Sequence, residues 1–334
     1  MKSLRILVII VARIGDTLLI TPTLRAIKAH HPDAVVTVMA HPKRMEVLAH
    51  SPYVDHLVPM TPKTAFWRYR FSGRCFDQAI VFGHDASLVR LALRTSKEVV
   101  AFRQKDFSAH AALKEVAKPD SSQPMHAVHE RLLLAGTLGI RAEDFRLAYS
   151  VSAAEKTWSN EWLARHVPAA AAPLIGIQPF SFPTKAHRDW PLSAFNELVG
   201  RLRTAYPDAH FLIFGDALAR QKSGDLLQAH RAYMTVCAGD FSLRQTAVLM
   251  AHLDLYVGVD TGPTHLAGAL GVPMVAMYHC AYPGRYLAPL DHPALRMIEH
   301  PQTGQTRSSD LSMADISVDQ VFEAAMDLLS VRQA

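Results

Sequence analysis

Cysteine is scarce in this chain, and long hydrophobic runs are missing. The 334 residues include three cysteines, Cys75, Cys237 and Cys280, which stand far apart. An odd and scattered set of this kind forms neither a disulfide framework nor a CxxC metal site, and it indicates a reducing cytoplasm. No segment approaches the roughly 18–20 apolar residues that a membrane-spanning helix needs. We therefore expect a cytoplasmic protein that is soluble or, at most, lies on a membrane surface.

The first residues, MKSLRILVIIVARIGD, combine a basic start with an apolar run, as a signal peptide does. The run is short, however, and lacks a small-residue cleavage pattern. It is also followed at once by Arg13 and Asp16. A buried β-strand is the better interpretation.

The sequence also lacks the common signatures of cofactor and metal sites. The loop after the first apolar run has one glycine, Gly15, rather than the GxGxxG of a dinucleotide site, which counts against NAD-dependent redox chemistry. There is no DxD pair, HExxH helix or cysteine cluster, and the neighbours His279 and Cys280 do not make a metal pair. We expect neither a bound cofactor nor a metal.

Acidic residues are under-represented in the first half of the chain. Residues 1–150 hold 21 basic and 13 acidic side chains of the chain's 35 and 30, a net charge of +8. The remainder holds 14 basic and 17 acidic side chains, a net charge of −3. This asymmetry indicates an anionic partner for the N-terminal half, and an ordinary lysine-rich surface is the alternative.

Apolar runs typical of strands that are buried on both faces alternate with helical patterns twice over. In the first series the predicted strands are RILVIIVA, AVVTVMA and FDQAIVFG. In the second series they are PLIGIQPF, HFLIFG, YMTVCAG, LDLYVGV and VPMVAMY. Apolar spacings of three and four predict helices between them, including 41–50 and 217–229. The polar stretch 104–124 is predicted to be a mobile loop.

Two successive β-α series of similar length predict an α/β protein of two doubly wound domains that face each other across a cleft. The expected bounds are 1–150 for the first domain and 151–316 for the second. A last helix within 317–334 is a candidate to pack back on the first domain.

The triplet Asp260-Thr261-Gly262 raises the question of aspartic-protease chemistry. Aspartic proteases carry this triplet in all-β lobes, whereas here it joins the predicted strand LDLYVGV to the predicted helix THLAGALG. In an open α/β sheet, ligands bind at the carboxyl ends of strands, and a helix N-terminus there attracts phosphate. We interpret the triplet as an anion cradle in which Gly262 lets the backbone come close and Thr261 offers a hydroxyl.

Asp16 lies between the first strand and the helix that follows. A carboxylate in this position is often a helix cap, which the helix dipole favours. The alternative is a functional carboxylate that points into the cleft. The local spacing leaves both interpretations open.

Three segments resemble the signatures of one family, the bacterial heptosyltransferases that build the lipopolysaccharide inner core from ADP-heptose (glycosyltransferase family nine). The segment RIGDTLLITPTLRAIKAHHP is similar to the family's R-x-G-D…P-x-L…P signature, and it places Arg13, Gly15 and Asp16 at the acceptor side. The block from Gly239 to Tyr278 is similar to the family's S-L…D-T-G-x-x-H-x-A…L-G-x-P block, the most specific of the three. The segment IQPFSFPTKAHRDWPLSAF, which includes Ser181, resembles the phosphate loop.

The resemblance implies a GT-B type fold of two Rossmann-like domains and inverting sugar transfer without an essential metal. Inversion needs one base to deprotonate the attacking hydroxyl, and Asp16 matches the family's catalytic aspartate. The nucleotide leaving group needs cationic and N–H donors, which Thr261, Gly262 and Lys185 can supply. The family's lysine lies two residues before Trp-Pro, where this chain has Arg188, so Lys185 and Arg188 are both candidates to hold the pyrophosphate.

The resemblance also implies weaker donor contacts. Phe241 matches the position that packs on adenine, and Asp216 lies near the expected acidic contact to the ribose. His265 matches the motif histidine and can orient Asp260 or a phosphate. The turn in MYHCAYPGRY replaces the family's usual Phe-Gly-Pro-Thr-like turn, which leaves the donor sugar open.

The segment KTAFWRYRFSGR, 63–74, interleaves aromatic residues with Arg68, Arg70 and Arg74. Such interleaving suits nucleic acid or a membrane interface that carries phosphorylated glycolipid, and an amphipathic loop over the core is the structural alternative. With the resemblance, we expect a lipopolysaccharide core acceptor at the inner face of the inner membrane, and no nucleic acid. Transfer from another nucleotide sugar or to a protein acceptor, and nucleotide-sugar binding without catalysis, remain as alternatives.

Overall fold

The computed structural model describes residues 3–65, 73–103, 112–119 and 124–331. The chain divides into two compact units, Met1–Ser150 and Val151–Ala334. Each unit is an α/β domain built on one parallel sheet.

The first unit holds a six-stranded parallel sheet in the order β3-β2-β1-β4-β5-β6. The strands are β1 Arg5–Ile10, β2 Val35–Ala40, β3 His56–Pro59, β4 Phe76–Phe82, β5 Ser96–Phe102 and β6 Leu113–Val116. Its helices are α1 Ile14–Leu18, α2 Thr21–His30, α3 Pro62–Ala65, α4 Ala86–Thr95 and α5 Ala127–Gly136. The central strands are mostly apolar, as expected of a parallel sheet covered on both faces, and Ile6 to Ile9 are 0% exposed.

Two predictions for the first unit are wrong in detail. The stretch predicted to be a loop contains the edge strand β6, which pairs with β5, while residues 104–111 and 120–123 lie outside the described residues. The segment 41–50 forms one short 3₁₀ turn, Met45–Leu48, rather than a helix.

The second unit repeats the design with the order β12-β11-β10-β7-β8-β9, again parallel throughout. The strands are β7 Leu174–Gln178, β8 His210–Ile213, β9 Met234–Val236, β10 Leu255–Val259, β11 Met274–Tyr278 and β12 Leu295–Glu299. The helices are α6 Ala153–His166, α7 Leu192–Ala205, α8 Ala217–Lys222, α9 Gly224–His230, α10 Leu243–Met250, α11 Gly262–Leu270 and α12 Val318–Val331. The helix predicted over 217–229 is therefore two helices.

The last helix, α12, packs on α7 and on strands β10 to β12. Its buried side chains Val321, Ala325 and Leu328 belong to the core of the second unit. The indole N–H of Trp190 donates to the Ile316 carbonyl oxygen at 2.9 Å, which ties the approach to α12 to the same core. The helix therefore belongs to the second unit, and its expected packing on the first domain stays a prediction.

In both units the chain order of strands across the sheet is 3-2-1-4-5-6, which is the doubly wound arrangement. The order reverses between β1 and β4 in the first unit and between β7 and β10 in the second. Ligands in such sheets bind outside the carboxyl ends of the strands at this switch point. The loops after β1, β7 and β10 are therefore the places to look for a site.

Candidate active site

Asp16 lies at the switch point of the first sheet, in the first turn of α1. The N-cap position of that helix is Arg13, which makes no side-chain cap bond and is exposed. The Asp16 carboxylate accepts a hydrogen bond from Arg131 Nη2 at 2.6 Å and remains 42% exposed. Asp16 is thus not the N-cap residue, and its carboxylate is an accessible base that one arginine holds in place.

Arg131 was not predicted from the sequence. It lies on α5, three residues after the buried Val128 and four before the buried Ala135, so it occupies the apolar face of that helix. Its side chain is 14% exposed, and its second anchor is the Ala127 carbonyl oxygen at 2.8 Å. Burial lowers the pKa of Arg131, although a guanidinium stays charged. An arginine on the buried face of a helix was the signal that could have indicated it.

Of the arginines predicted for the acceptor in segment 63–74, Arg74 is not brought together with Asp16. Arg68 and Arg70 lie outside the described residues. Arg74 precedes β4, so it lies at the amino edge of the sheet, whereas Asp16 follows β1 at the carboxyl edge. A strand of this length separates the two edges by roughly 20 Å.

Other basic residues, which were not predicted from the sequence, lie at the carboxyl edge of the first sheet. His41, Lys43 and Arg44 follow β2 directly, and Arg44 Nη1 donates to the Ala12 carbonyl oxygen in the loop before Asp16 at 3.0 Å. Partial burial, with Arg44 and Lys43 alongside, lowers the pKa of His41. The basic run HPKR directly after a predicted strand was the available signal.

In the second unit, hydrogen bonds between residues of the same loop fix the conformation of the loop after β7. The Ser181 N–H donates to Asp189 Oδ1 at 2.7 Å. The Ser181 hydroxyl lies 2.6 Å from the same carboxylate oxygen and 2.7 Å from the Lys185 carbonyl oxygen. Ser181 thus orders the loop that carries Lys185 and Arg188.

The two candidate phosphate cations have different surroundings. Arg188 Nη1 lies 2.5 Å from Asp260 Oδ2, and the Arg188 side chain is 14% exposed against 4% for Asp260. Lys185 Nζ donates to the Tyr282 hydroxyl at 3.2 Å, and no carboxylate pairs with it among the described residues. A buried carboxylate therefore neutralises Arg188, while the charge of Lys185 remains available to an anion.

The Asp-Thr-Gly triplet joins β10 to the N-terminus of α11, as predicted, and not two strands of an all-β lobe. Thr261 is the N-cap residue, and its side chain makes no capping bond. The Thr264 hydroxyl bonds to Tyr256 at 3.1 Å, so it serves the core. His265 Nε2 lies 3.9 Å from Asp260 Oδ1. The Asp260 carboxylate thus holds Arg188, and the anion cradle at the helix N-terminus with Gly262 stays a prediction.

The residues predicted to bind the nucleoside already have partners. The Phe241 ring makes edge contacts with Trp158 and Trp162 of α6, at centroid distances of 5.6 and 5.4 Å. Asp216 caps α8 by accepting from the Ala219 N–H at 2.9 Å. Both lie at the carboxyl edge of the sheet, but these contacts explain them structurally, and their role toward a nucleotide stays a prediction.

The part of the chain that the structure describes holds no group of three His, Cys, Asp or Glu side chains that could bind a metal ion. The His279 ring accepts from the Ala281 N–H and lies 2.9 Å from the Leu311 carbonyl oxygen, so both of its nitrogens are engaged. Within the same described ranges, no helix is both long and apolar enough to span a bilayer.

Two doubly wound parallel-sheet units in one chain are the architecture of the GT-B fold. The family model described as glycosyltransferase family 9 (heptosyltransferase) matches residues 72–313, and the chain belongs to this family. It is similar to lipopolysaccharide heptosyltransferase 2 of Escherichia coli K12. The alignment runs over 362 residues with 25% identity, and it covers 99% of this chain and 100% of that protein.

Solved structures show the same architecture. The glycosyl transferase family 9 protein of Veillonella parvula matches with a TM-score of 0.83 at 20% identity over 98% of this chain and 97% of that chain. Escherichia coli ADP-heptose lps heptosyltransferase II matches with a TM-score of 0.80 at 23% identity over 99% and 100%. The predicted family, the two parallel-sheet α/β domains of the GT-B fold and the glycosyltransferase activity are confirmed.

Proposed function

We propose that this glycosyltransferase moves heptose from ADP-heptose to a lipopolysaccharide inner-core acceptor, with inversion at the anomeric carbon. Family membership supports the sugar transfer, and the names of the relatives support the donor and acceptor. The observation that carries the mechanism is the Asp16 carboxylate, accessible at the first switch point and held by Arg131.

In the proposed reaction, Asp16 takes the proton of the acceptor hydroxyl as that oxygen attacks the anomeric carbon. The bond from that carbon to the diphosphate breaks, and ADP departs with its electron pair. Lys185 and the N-terminus of α11 offset the charge that develops on the leaving diphosphate. Donors of this kind let the reaction proceed without a metal ion.

The experiment is a comparison of Asp16→Asn with Asp33→Asn. Asp33 is an exposed carboxylate at the amino edge of the same sheet, so it controls for the loss of one charge in this unit. Loss of general-base help is expected to lower kcat by about 10²–10⁴, while ADP affinity and the melting temperature stay near those of the wild type. Near-wild-type turnover of Asp16→Asn would reduce Asp16 to a residue that the helix dipole stabilises.

We further propose that the N-terminal unit meets a phosphorylated acceptor at the membrane surface, as a peripheral protein of the inner membrane's inner face. The net charge of +8 in residues 1–150 supports this proposal. Neutralising Arg68, Arg70 and Arg74 together should weaken binding to anionic vesicles and raise the acceptor KM, more at low salt than at high salt. Unaltered vesicle binding at low salt would remove this segment from the membrane contact.

The second candidate function is transfer from a nucleotide sugar other than ADP-heptose. The observation that favours it is the turn after β11. That turn carries a buried Cys280 and a tyrosine, Tyr282, beside the predicted phosphate cations. Assaying a panel of nucleotide sugars against truncated core lipopolysaccharide, with the product linkage determined by NMR, distinguishes the two. Turnover with ADP-heptose in preference to ADP-hexoses would support the first proposal, and the reverse preference would replace it.

A further inference from the structure

Tyr282 lies at the centre of the cations in the second unit. It follows β11 at the carboxyl edge of the sheet, and the guanidinium carbon of Arg188 lies 3.7 Å from its ring centroid. Lys185 Nζ donates to its hydroxyl at 3.2 Å. The His187 ring stacks on it with an interplanar angle of 27° at a centroid distance of 5.8 Å. One aromatic side chain thus contacts both candidate phosphate cations.

The hydrogen-bond roles in this cluster leave a donor available. Lys185 is a donor only, so in its bond with Tyr282 the phenol oxygen accepts. The phenol proton must therefore point to another acceptor, and the described residues supply none. Arg188 Nε is likewise buried without a hydrogen-bond partner in the described part of the chain. A phenol O–H that has no acceptor and lies beside an ammonium and a guanidinium fits an anionic oxygen of a ligand.

The electrostatics agree with this geometry. The hydrogen bond from Lys185 and the nearby Arg188 lower the pKa of Tyr282. A phenol made more acidic by neighbouring cations is a stronger hydrogen-bond donor to an anion. Asp260 holds Arg188 in its stacked position from the strand between β7 and β11, so the cluster is preorganised before a ligand arrives.

We propose that the Tyr282 phenol is a direct hydrogen-bond donor to the terminal phosphate of a nucleoside diphosphate, acting beside Lys185 and Arg188. The inference rests on the proposed function, because it takes the donor's diphosphate as the ligand. No proton is transferred: the phenol keeps its proton and stabilises the negative charge that the leaving phosphate gains.

The experiment measures the preference for ADP over AMP by isothermal titration calorimetry, because the two ligands differ only by the terminal phosphate. Tyr282→Phe keeps the ring under Arg188 and removes the phenol, so the fold should be preserved. Tyr286→Phe is the matched control, since it lies four residues on in the same segment with Arg285 5.7 Å from its ring centroid.

Tyr282→Phe is expected to raise the Kd of ADP about 10-fold and to change the Kd of AMP by less than about 2-fold, whereas Tyr286→Phe changes neither. With ADP-heptose as substrate, kcat should fall as well, because the interaction strengthens as the leaving group departs.

The outcomes separate this inference from the proposed function. A wild type that binds ADP no better than AMP would overturn the proposed donor, and this inference with it. A wild type that prefers ADP, together with a Tyr282→Phe variant of unchanged preference, would overturn the role of Tyr282 alone.

Discussion

Arg131 Nη2 lies 2.6 Å from Asp16 Oδ1, although 115 residues separate the two in the chain. The pair joins the helix that follows the first strand to the last helix of the same unit, α5. Because Arg131 is anchored by the Ala127 carbonyl oxygen and is mostly buried, it restricts the orientation of a carboxylate that is otherwise exposed. In the proposed reaction, a carboxylate held in this way meets the acceptor hydroxyl without first being ordered.

Replacing Arg131 by Ala is expected to lower kcat by about 10²-fold, because the Asp16 carboxylate loses its orientation. ADP affinity, measured by calorimetry, should not change, since the predicted ADP contacts lie in the other unit. Added guanidinium chloride at low concentration should restore part of the rate, which a purely structural role would not produce. Arg141→Ala, an exposed arginine of the same unit, is the control. Unchanged kcat in Arg131→Ala would remove it from the mechanism.

Substitutions of Lys185 and Arg188 are expected to have different effects, the first on ADP affinity and the second on the free energy of unfolding. Lys185→Met should raise the Kd of ADP about 10-fold with little change in the melting temperature, because its charge has no carboxylate partner in the described residues. Arg188→Met leaves the buried Asp260 carboxylate unpaired, and it should lower the free energy of unfolding by about 3 kcal/mol.

Adding Asp260→Asn to Arg188→Met should recover most of that stability, which urea unfolding can measure. Equal losses of ADP affinity and of stability in the two single variants would contradict the division of roles between Lys185 and Arg188.

The stability of the second unit should depend on Glu155 and on pH. Two hydrogen bonds from Arg244, at 2.7 and 2.6 Å, lower the pKa of Glu155 from 4.5 to about 2. A carboxyl whose pKa is depressed in the folded state stabilises it above its ordinary pKa and loses that effect as the pH falls from about 4.5 to about 2. Glu155→Gln should therefore cost about 2–3 kcal/mol at neutral pH.

The difference between wild type and Glu155→Gln should shrink below pH 4.5, where the wild-type carboxyl takes up a proton. Unfolding by urea over a pH series tests this, with Glu161→Gln, an exposed residue of the same helix, as the control. If the difference in the free energy of unfolding between the two proteins did not depend on pH, the shape of the Glu155 side chain, and not its charge, would account for its contribution to stability.

Transfer is expected to survive removal of divalent cations. Within residues 3–65, 73–103, 112–119 and 124–331 no cluster of metal-binding side chains is present, and Lys185 with the N-terminus of α11 is proposed to carry the counter-charge. Initial rates measured with and without excess EDTA should agree within error. Inhibition by the chelator that Mg²⁺ or Mn²⁺ reverses would show that this assignment of counter-charges is incorrect.

Local pattern alone was sufficient for the two-domain organisation. Strands buried on both faces are mostly apolar, so β1, β2, β4 and β10 could be recognised in the sequence. Edge strands pair on one side and keep exposed positions, and β3, β6 and β12 did not stand out. The interior strand β5, which begins with Ser96, Lys97 and Glu98, was also missed, whereas the edge strand β9 was recognised. The positions of Asp16 and Asp260 could also be anticipated, because both follow a recognisable parallel strand at its carboxyl end.

Only the tertiary structure shows which side chains that are distant in the sequence form ion pairs. The sequence shows Asp16, Arg131, Arg188 and Asp260 as four separate charges, and the fold makes them two ion pairs. Which side chains meet depends on sheet order and on which turn of a helix lies above which strand, and neither is encoded in the spacing of neighbouring residues. The same reason explains Arg74, which belongs to the segment predicted to meet the acceptor yet lies at the edge of the sheet opposite to Asp16.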